Sequence, residues 1–286
     1  MDNYSIDALL GNFKNRYFGN GYKKIFHDVK LIDSKDGIHW LANISISKYI
    51  NWSIKNKISQ IQHVSSIDSI VITQKVFNRI LSKIGNNYEN YVLTDFDIKT
   101  GTSPIENIEE ISANFILEIK EDKYLLSGLI GNMRIKSEFE KCFENCKNTF
   151  YKYKNINNKI NEISFKKNNS LICNYEPESN INISVYLVSW IIVFAQLGEV
   201  LAFNVANVSR EESENFWVRK LHLHLNKTKS LKSNHNDKLK VKIVKNRKIK
   251  KTDGIWHTFE MVGDDELSLV DVRAKTALKV RRITNV

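Results

Sequence analysis

The chain has 286 residues, 42% of them hydrophobic and 26% charged, with only 2 prolines. That length holds one large domain or two of moderate size, and the composition excludes a disordered, collagen-like or low-complexity chain. The formal net charge is +11, but it is concentrated: Lys227 to Lys251 contains eleven Lys or Arg against one acid, Asp237, and the rest of the chain is close to neutral.

In chain order, the N-terminal segment Met1 to Gly19 has no basic region followed by an apolar core, so no secretory signal is expected. Ile38 to Ser47 reads as a strand. Ser65 to Ile84 reads as a helix, with Ser66 as N-cap and Asp68 in the first turn, where a carboxylate suits the helix dipole. Its apolar residues Ile67, Ile70, Val71, Phe77, Ile80, Leu81 and Ile84 recur at helical spacing. Strands are expected at Tyr91 to Ile98, Ile111 to Lys120, Tyr124 to Ile130 and Arg134 to Phe139, with Glu121-Asp122-Lys123 as a hairpin turn.

A second half starts near Tyr151, with extended segments at Ile160 to Phe165 and Leu171 to Tyr175. A long apolar helix follows at Ile183 to Asn204, and Glu199 is the only charge between Ile183 and Phe203. The run is long enough to span a bilayer. Gln196 and Glu199 inside it, and the alternating strands after it, point instead to a helix buried within the sheet of a cytoplasmic protein. Those strands are Phe216 to Leu225, Leu239 to Val244, Gly254 to Val262, Leu267 to Ala274 and Leu278 to Ile283, with a turn at Gly263-Asp264-Asp265.

Extended segments, one helix and several antiparallel strands are thus written twice. This order predicts an α+β double hot dog, two antiparallel sheets each wrapped around one long buried helix, with halves at 1–150 and 151–286. Thr73-Gln74 and Ala195-Gln196 echo one another inside the two helices.

Three segments resemble the avirulence protein D family of bacteria: SIDALLGNFKNRYFGNGYKKI, SSIDSIVITQ and AQLGEVLAFNVANVSREESENFWVRK. The block carrying Arg210, Ser213, Asn215, Trp217 and Arg219 is the most specific of them. The resemblance implies syringolide-type chemistry, the making of small acylated sugar signals from a β-ketoacyl precursor and a pentulose. It also implies a distant similarity to hot dog enzymes that join a β-ketoacyl thioester to a three-carbon phosphate. One departure stands out: the second helix has Ser184 or Tyr186 where an acid matching Asp68 is expected, so two symmetric sites do not follow.

Asp68, at a helix start, and His63, five residues earlier, form a candidate general acid and base. The bland alternative is a helix-capping acid beside a solvated histidine. Gln74 and Gln196 are amides within apolar helices, able to hold a substrate carbonyl or a neighbouring strand. Glu199, one turn past Gln196, is a carboxylate with a raised pKa or an ion-pair partner of Arg210 or Arg219. Asn215, Trp217 and Arg219 alternate on one strand, where Arg suits an anionic group and Trp a pocket wall, or else fill a structural corner. His222 and His224 share a strand face without a third ligand, and His257 is a spare base. Cys142, Cys146 and Cys173 read as reduced thiols rather than a zinc or disulfide set. No metal or cofactor is called for.

The favoured reading is transfer of a β-ketoacyl group from a CoA or acyl-carrier-protein thioester onto a sugar-like hydroxylated acceptor. A dehydratase or thioesterase-like enzyme on acyl substrates is the first alternative. A non-catalytic acyl- or nucleic-acid-binding protein is the second. The lysines from Lys227 to Lys251 are a candidate dock for an acidic carrier protein; no aromatic side chain interleaves them, which speaks against nucleic acid.

Overall fold

The structure, a computed structural model, describes residues 3–32, 34–141, 150–176, 183–226 and 237–281. The first half contains helix α1 (Ile6–Leu10), strands β1 (His27–Ile32) and β2 (His39–Ile46), a small hairpin of β3 (Ile54–Lys55) and β4 (Ile58–Ser59), and helix α2 (Ser66–Lys83). Strands β5 (Tyr91–Lys99), β6 (Ile111–Lys120), β7 (Lys123–Ile130) and β8 (Met133–Lys141) follow. The second half contains β9 (Lys159–Lys166), β10 (Ser170–Glu176), helix α3 (Ile183–Ala206), and strands β11 (Ser213–Leu225), β12 (Asp237–Lys251), β13 (Gly254–Asp265) and β14 (Val270–Val280).

The class is α+β, but the sheet is one and not two. Every strand except β3 and β4 joins a single sheet of 12, in the order β1-β2-β6-β7-β8-β5-β11-β14-β13-β12-β10-β9. Counted inward from either edge, the strands of each half come in the same sequence: first, second, fourth, fifth, sixth, third. The halves meet where β5 pairs antiparallel with β11, from Lys99 opposite Lys220 to Asp95 opposite His224. This junction fuses the two expected sheets, because each half's third strand would otherwise expose a row of unpaired backbone groups.

One face of the sheet is covered and the other is wet. In β6 and β12 buried and exposed residues alternate, so Leu239, Val241 and Ile243 point inward while Lys238, Lys240 and Lys242 face solvent. The helices fill the inner face. Phe77 of α2 stacks on Phe139 of β8 with centroids 3.6 Å apart. Trp190 of α3 meets Tyr175 of β10 at 5.1 Å. The stretch Leu187–Ala206 is apolar enough to cross a membrane, yet 78% of it is buried within the protein, where it serves as a core helix.

Several element boundaries differ from expectation. The cap of α2 is Ser65, not Ser66: its hydroxyl accepts from the Asp68 amide while Asp68 accepts from the Ser65 amide, a capping box. Gly263-Asp264-Asp265 is strand rather than turn. A Cβ on Gly263 would lie 2.6 Å from the Phe194 ring, so the glycine lets β13 cross α3 closely. The turn comes next, where Asp265 accepts from the Leu267 and Val270 amides. The two last expected strands are one, β14. Cys142 and Cys146 lie outside the described residues, as does the 227–236 part of the basic segment; Cys173 is buried, and burial pushes its thiol up to about 12.

Phe77→Ala should lower unfolding free energy by about 3–5 kcal/mol, because both partners of its stack are fully buried. Urea or thermal unfolding would measure this, and a loss below about 1 kcal/mol would show that the core relaxes around the gap.

Candidate functional site

The start of α2 faces the second half across the β5–β11 junction. The loop after β5 is tied to β11: the Thr100 amide donates to the Arg219 carbonyl at 3.1 Å, and the Thr100 hydroxyl donates to the Val218 carbonyl at 3.1 Å. Between them opens a cavity of about 600 Å³, a size that suits a small organic ligand. His63, Ser65, Ser66 and the 100–104 loop form one wall; Phe216, Trp217, Arg219, Lys251, Trp256 and Thr258 form the other.

Of the residues singled out from sequence, His63, Trp217 and Arg219 reach this cavity. Strict alternation in β11 fails. The strand's register shifts between Ser213 and Phe216 and again between Val218 and Lys220, and four consecutive residues, Phe216 to Arg219, line the wall. Asn215 is turned to a smaller recess behind it. The Arg219 guanidinium makes no ion pair among the described residues.

His63 is held by rings on both sides, Trp52 at 4.9 Å and Trp217 at 4.8 Å. Its Nδ1 is 3.2 Å from the Ile61 carbonyl. That contact requires an Nδ1–H donor, which leaves Nε2 as the acceptor in the neutral ring. Burial holds His63 below the usual histidine pKa, with the Ile61 hydrogen bond opposing. The ring is therefore neutral near pH 7, as a general base must be.

Asp68 is not on the cavity wall. It is 2% exposed, and its carboxylate is fully engaged. His27 Nε2 lies 2.7 Å from Oδ1; the Ser65 amide and hydroxyl donate to Oδ2 at 2.7 and 2.6 Å; the Tyr17 hydroxyl is 3.2 Å from both oxygens. Burial disfavours the charged form, but the His27 contact and the two Ser65 bonds outweigh it and hold the carboxyl below its usual range. No hydrogen bond joins Asp68 to His63. Asp68 instead fixes the helix start on which Ser65 and Ser66 stand.

Behind His63 lies a recess of about 60 Å³, walled by Arg16, Tyr17, Lys55, Ser65, Glu199 and Arg210 among others. Glu199 has no hydrogen bond or ion pair among the described residues. Burial raises its carboxyl pKa, while the surrounding charges of Lys55, Arg210 and Arg16 pull the other way. Burial also brings the Lys55 ammonium down to about 8. The cations are otherwise committed. Lys55 donates to the Glu214 carbonyl at 2.6 Å. Arg210 donates to the Ile54 carbonyl at 2.9 Å and the Asn15 carbonyl at 3.3 Å, and contacts Glu211 at 3.4 Å. Arg210 is thus a clamp joining the β3–β4 hairpin, the N-terminal segment and β11, rather than a ligand holder.

The two amides are hydrogen-bonded within the protein and do not line the main cavity. Gln196 accepts from Arg16 Nη1 at 2.6 Å, and Arg16 also pairs with Asp7. Gln74 donates to Asn78 one turn along α2. His222 and His224 pair across the junction with Asp97 and Asp95, each at 3.1 Å, and no group of three metal-ligating side chains occurs among the described residues. His257 stacks near Phe259 and does not line the cavity. The side chains at 183–186, including those of Ser184 and Tyr186, lie outside the description.

Sequence reading missed His27, Tyr17, Lys55 and Trp256, and it assigned Lys251 to a basic dock rather than to a cavity wall. His27 is 41 residues from Asp68, and no local spacing announces such a pair. Lys55 sits in a short polar hairpin that reads as solvated loop.

Several solved structures are similar to this chain. One is a tesB protein of Mycobacterium avium subs paratuberculosis, with TM-score 0.49 and 6% identity, covering 88% of this chain and 96% of that one. An acyl-CoA thioesterase II TesB2 from Mycobacterium marinum gives TM-score 0.45 and 7% identity over 91% and 96%. A variant of the PpsC dehydratase domain from Mycobacterium tuberculosis gives TM-score 0.39 and 6% identity over 88% and 97%. No curated protein matches the chain. Residues 2–140 match the family model described as Pseudomonas avirulence D protein (AvrD). The resemblance carried by Ser5 to Ile25 and by Ser65 to Gln74 therefore holds over that span; the Ala195 to Lys220 segment lies beyond it.

Asp68→Ala would strip a buried histidine, a tyrosine hydroxyl and the helix cap of their acceptor. The expected loss is about 3 kcal/mol or more of stability in chemical unfolding. With its pKa lowered in the folded state, Asp68 contributes fully above about pH 4. Its contribution should fade as pH falls through the lowered native value, and the wild-type and Ala stability curves should converge there. Parallel curves down to acid pH would remove the carboxylate from this role.

Proposed function

We propose that this chain is an enzyme of small-molecule biosynthesis acting on acyl thioesters. In this reading it is a double hot dog with halves 1–150 and 151–286. The observation that carries the proposal is a cavity and a recess that share His63, Ser65 and Phe216: among the described residues His63 keeps an unbonded Nε2 and, within the recess, Glu199 an unbonded carboxyl. The match of residues 2–140 to the avirulence D model supports a biosynthetic role.

The finer reading is transfer of a β-ketoacyl group from a CoA or carrier-protein thioester to a sugar-like acceptor. His63 Nε2 takes the proton of an acceptor hydroxyl as its oxygen attacks the thioester carbonyl. A carbon–oxygen bond forms, the carbon–sulfur bond breaks, and the departing sulfur takes a proton from the Glu199 carboxyl. Trp217, Phe216 and Trp256 give the acyl chain apolar walls, and Arg219 and Lys251 meet anionic groups of the donor. Asp68 acts as a positioning residue, through Ser65. A hydrolytic variant, with water in place of the hydroxyl, uses the same groups and is favoured by one feature: the recess of about 60 Å³ is large enough for water and too small for a sugar.

Cells expressing the wild-type chain, His63→Ala or Glu199→Gln would be compared by mass spectrometry. An acylated sugar or lactone made only by wild type supports the transfer, and a free acid in its place supports hydrolysis. Products unchanged in His63→Ala would sink the proposed base. With purified protein and substrate, His63→Ala should lower kcat/KM by about 100-fold or more. The wild-type rate should fall as pH drops through a value under 6.5, as His63 takes a proton. It should fall again at higher pH as Glu199 loses its own.

A further inference from the structure

On the sheet's outer face, opposite the helices, the junction between halves forms a groove of about 540 Å³. Across its floor, four consecutive strands place a cation in the same row. Arg134 of β8 is opposite Lys99 of β5, Lys99 is opposite Lys220 of β11, and Lys220 is opposite Lys275 of β14. All four are exposed. Lys275 bonds Glu260 at 3.1 Å. Arg134, Lys99 and Lys220 have no carboxylate partner among the described residues. Like charges set directly opposite on neighbouring strands destabilise a sheet, and here three such pairs occur in succession. Two residues along, Lys136 adds to the positive field, while Arg273 is bonded to Asp271 and Asp97 to His222.

We propose that this groove docks an acidic α-helix of a partner protein, whose carboxylates neutralise the cation row. The geometry fits. Strands lie about 4.8 Å apart, so the row spans about 14 Å. A helix crossing the strands offers one carboxylate per turn of about 5.4 Å from acids at i, i+4 and i+7, close to one per cation. A helix is convex where the groove is concave. Among the described residues no Phe, Tyr or Trp lines the groove, which leaves nucleobases nothing there to stack on. A second copy of this chain fits less well. Its own groove is concave, and the acids further along its face are already bonded, Glu138 to Lys123, Asp95 to His224 and Asp271 to Arg273. Those acids also set direction, repelling an acidic helix from that end of the face. The inference does not rest on the proposed enzyme, because the groove and the cavity share no lining residue.

The test uses the full chain and three fluorescent probes: a helical peptide with glutamates in one stripe, a helical peptide of the same composition with glutamates spread around the axis, and a short DNA duplex. Binding would be read by fluorescence anisotropy at low and high salt. The stripe peptide should bind best, and added salt should weaken it. Lys99→Glu and the double variant Lys99→Gln/Lys220→Gln should each weaken it by roughly tenfold or more. Both variants relieve like-charge repulsion, so melting should show them at least as stable as wild type. Equal binding of the two peptides, tighter binding of the duplex, or undiminished binding by both folded variants would each overturn the proposal. A salt-dependent self-association lost in Lys99→Glu, with no peptide binding, would assign the groove to a second copy and overturn it equally.

Discussion

The pairing of β5 with β11 is the constraint on which the rest depends. Each half carries a strand whose outer backbone groups need a partner, and each supplies that partner to the other. Once the two strands pair, the start of α2 must face β11, and the loop after β5 must lie over Val218 and Arg219. The cavity is the space left between them. The cationic groove is built on the same junction, since Lys99 and Lys220 stand next to Thr100 and Arg219 in the chain.

Two kinds of buried polar group meet near the start of α2, and their environments separate their roles. Asp68 is saturated: five hydrogen bonds from His27, Ser65 and Tyr17 leave it little capacity for chemistry, and they stabilise its charge. His63 and Glu199 are the opposite case. Each is enclosed enough for burial to favour its neutral form, and among the described residues each keeps an atom unbonded on the wall of a cavity or recess. A satisfied group anchors, and an unsatisfied one beside a void is available to a ligand.

The specific block around Arg210 gains a structural explanation from this arrangement. Arg210, Glu211 and the Glu214 carbonyl hold the β3–β4 hairpin against the start of β11. The hairpin in turn carries Lys55 to the recess and Trp52 to His63. A Cβ on Gly21 would lie 2.1 Å from the Trp52 carbonyl, so the N-terminal segment closes on the same hairpin only with a glycine there.

Periodicity in the sequence was enough to find both long helices and nearly every strand of the sheet, because burial on one face imposes a period of 3.6 or 2 whatever the neighbour is. The twofold writing of the element order was legible for the same reason; His63 was legible only as a partner of Asp68, and Trp217 and Arg219 only as strand neighbours of Asn215. The pairing of β5 with β11 was not legible, because any unpaired strand edge offers the same backbone groups and only the assembled sheet selects one. Nor were the fate of Asp68 and the freedom of Glu199, since His27 and Tyr17, which complete the bonding of the one, and Lys55 and Arg16, which stand near the other, are tens of residues to more than a hundred away in the chain. Local sequence sets which surfaces must be buried; which buried polar groups end up bonded is decided only when distant segments are brought together.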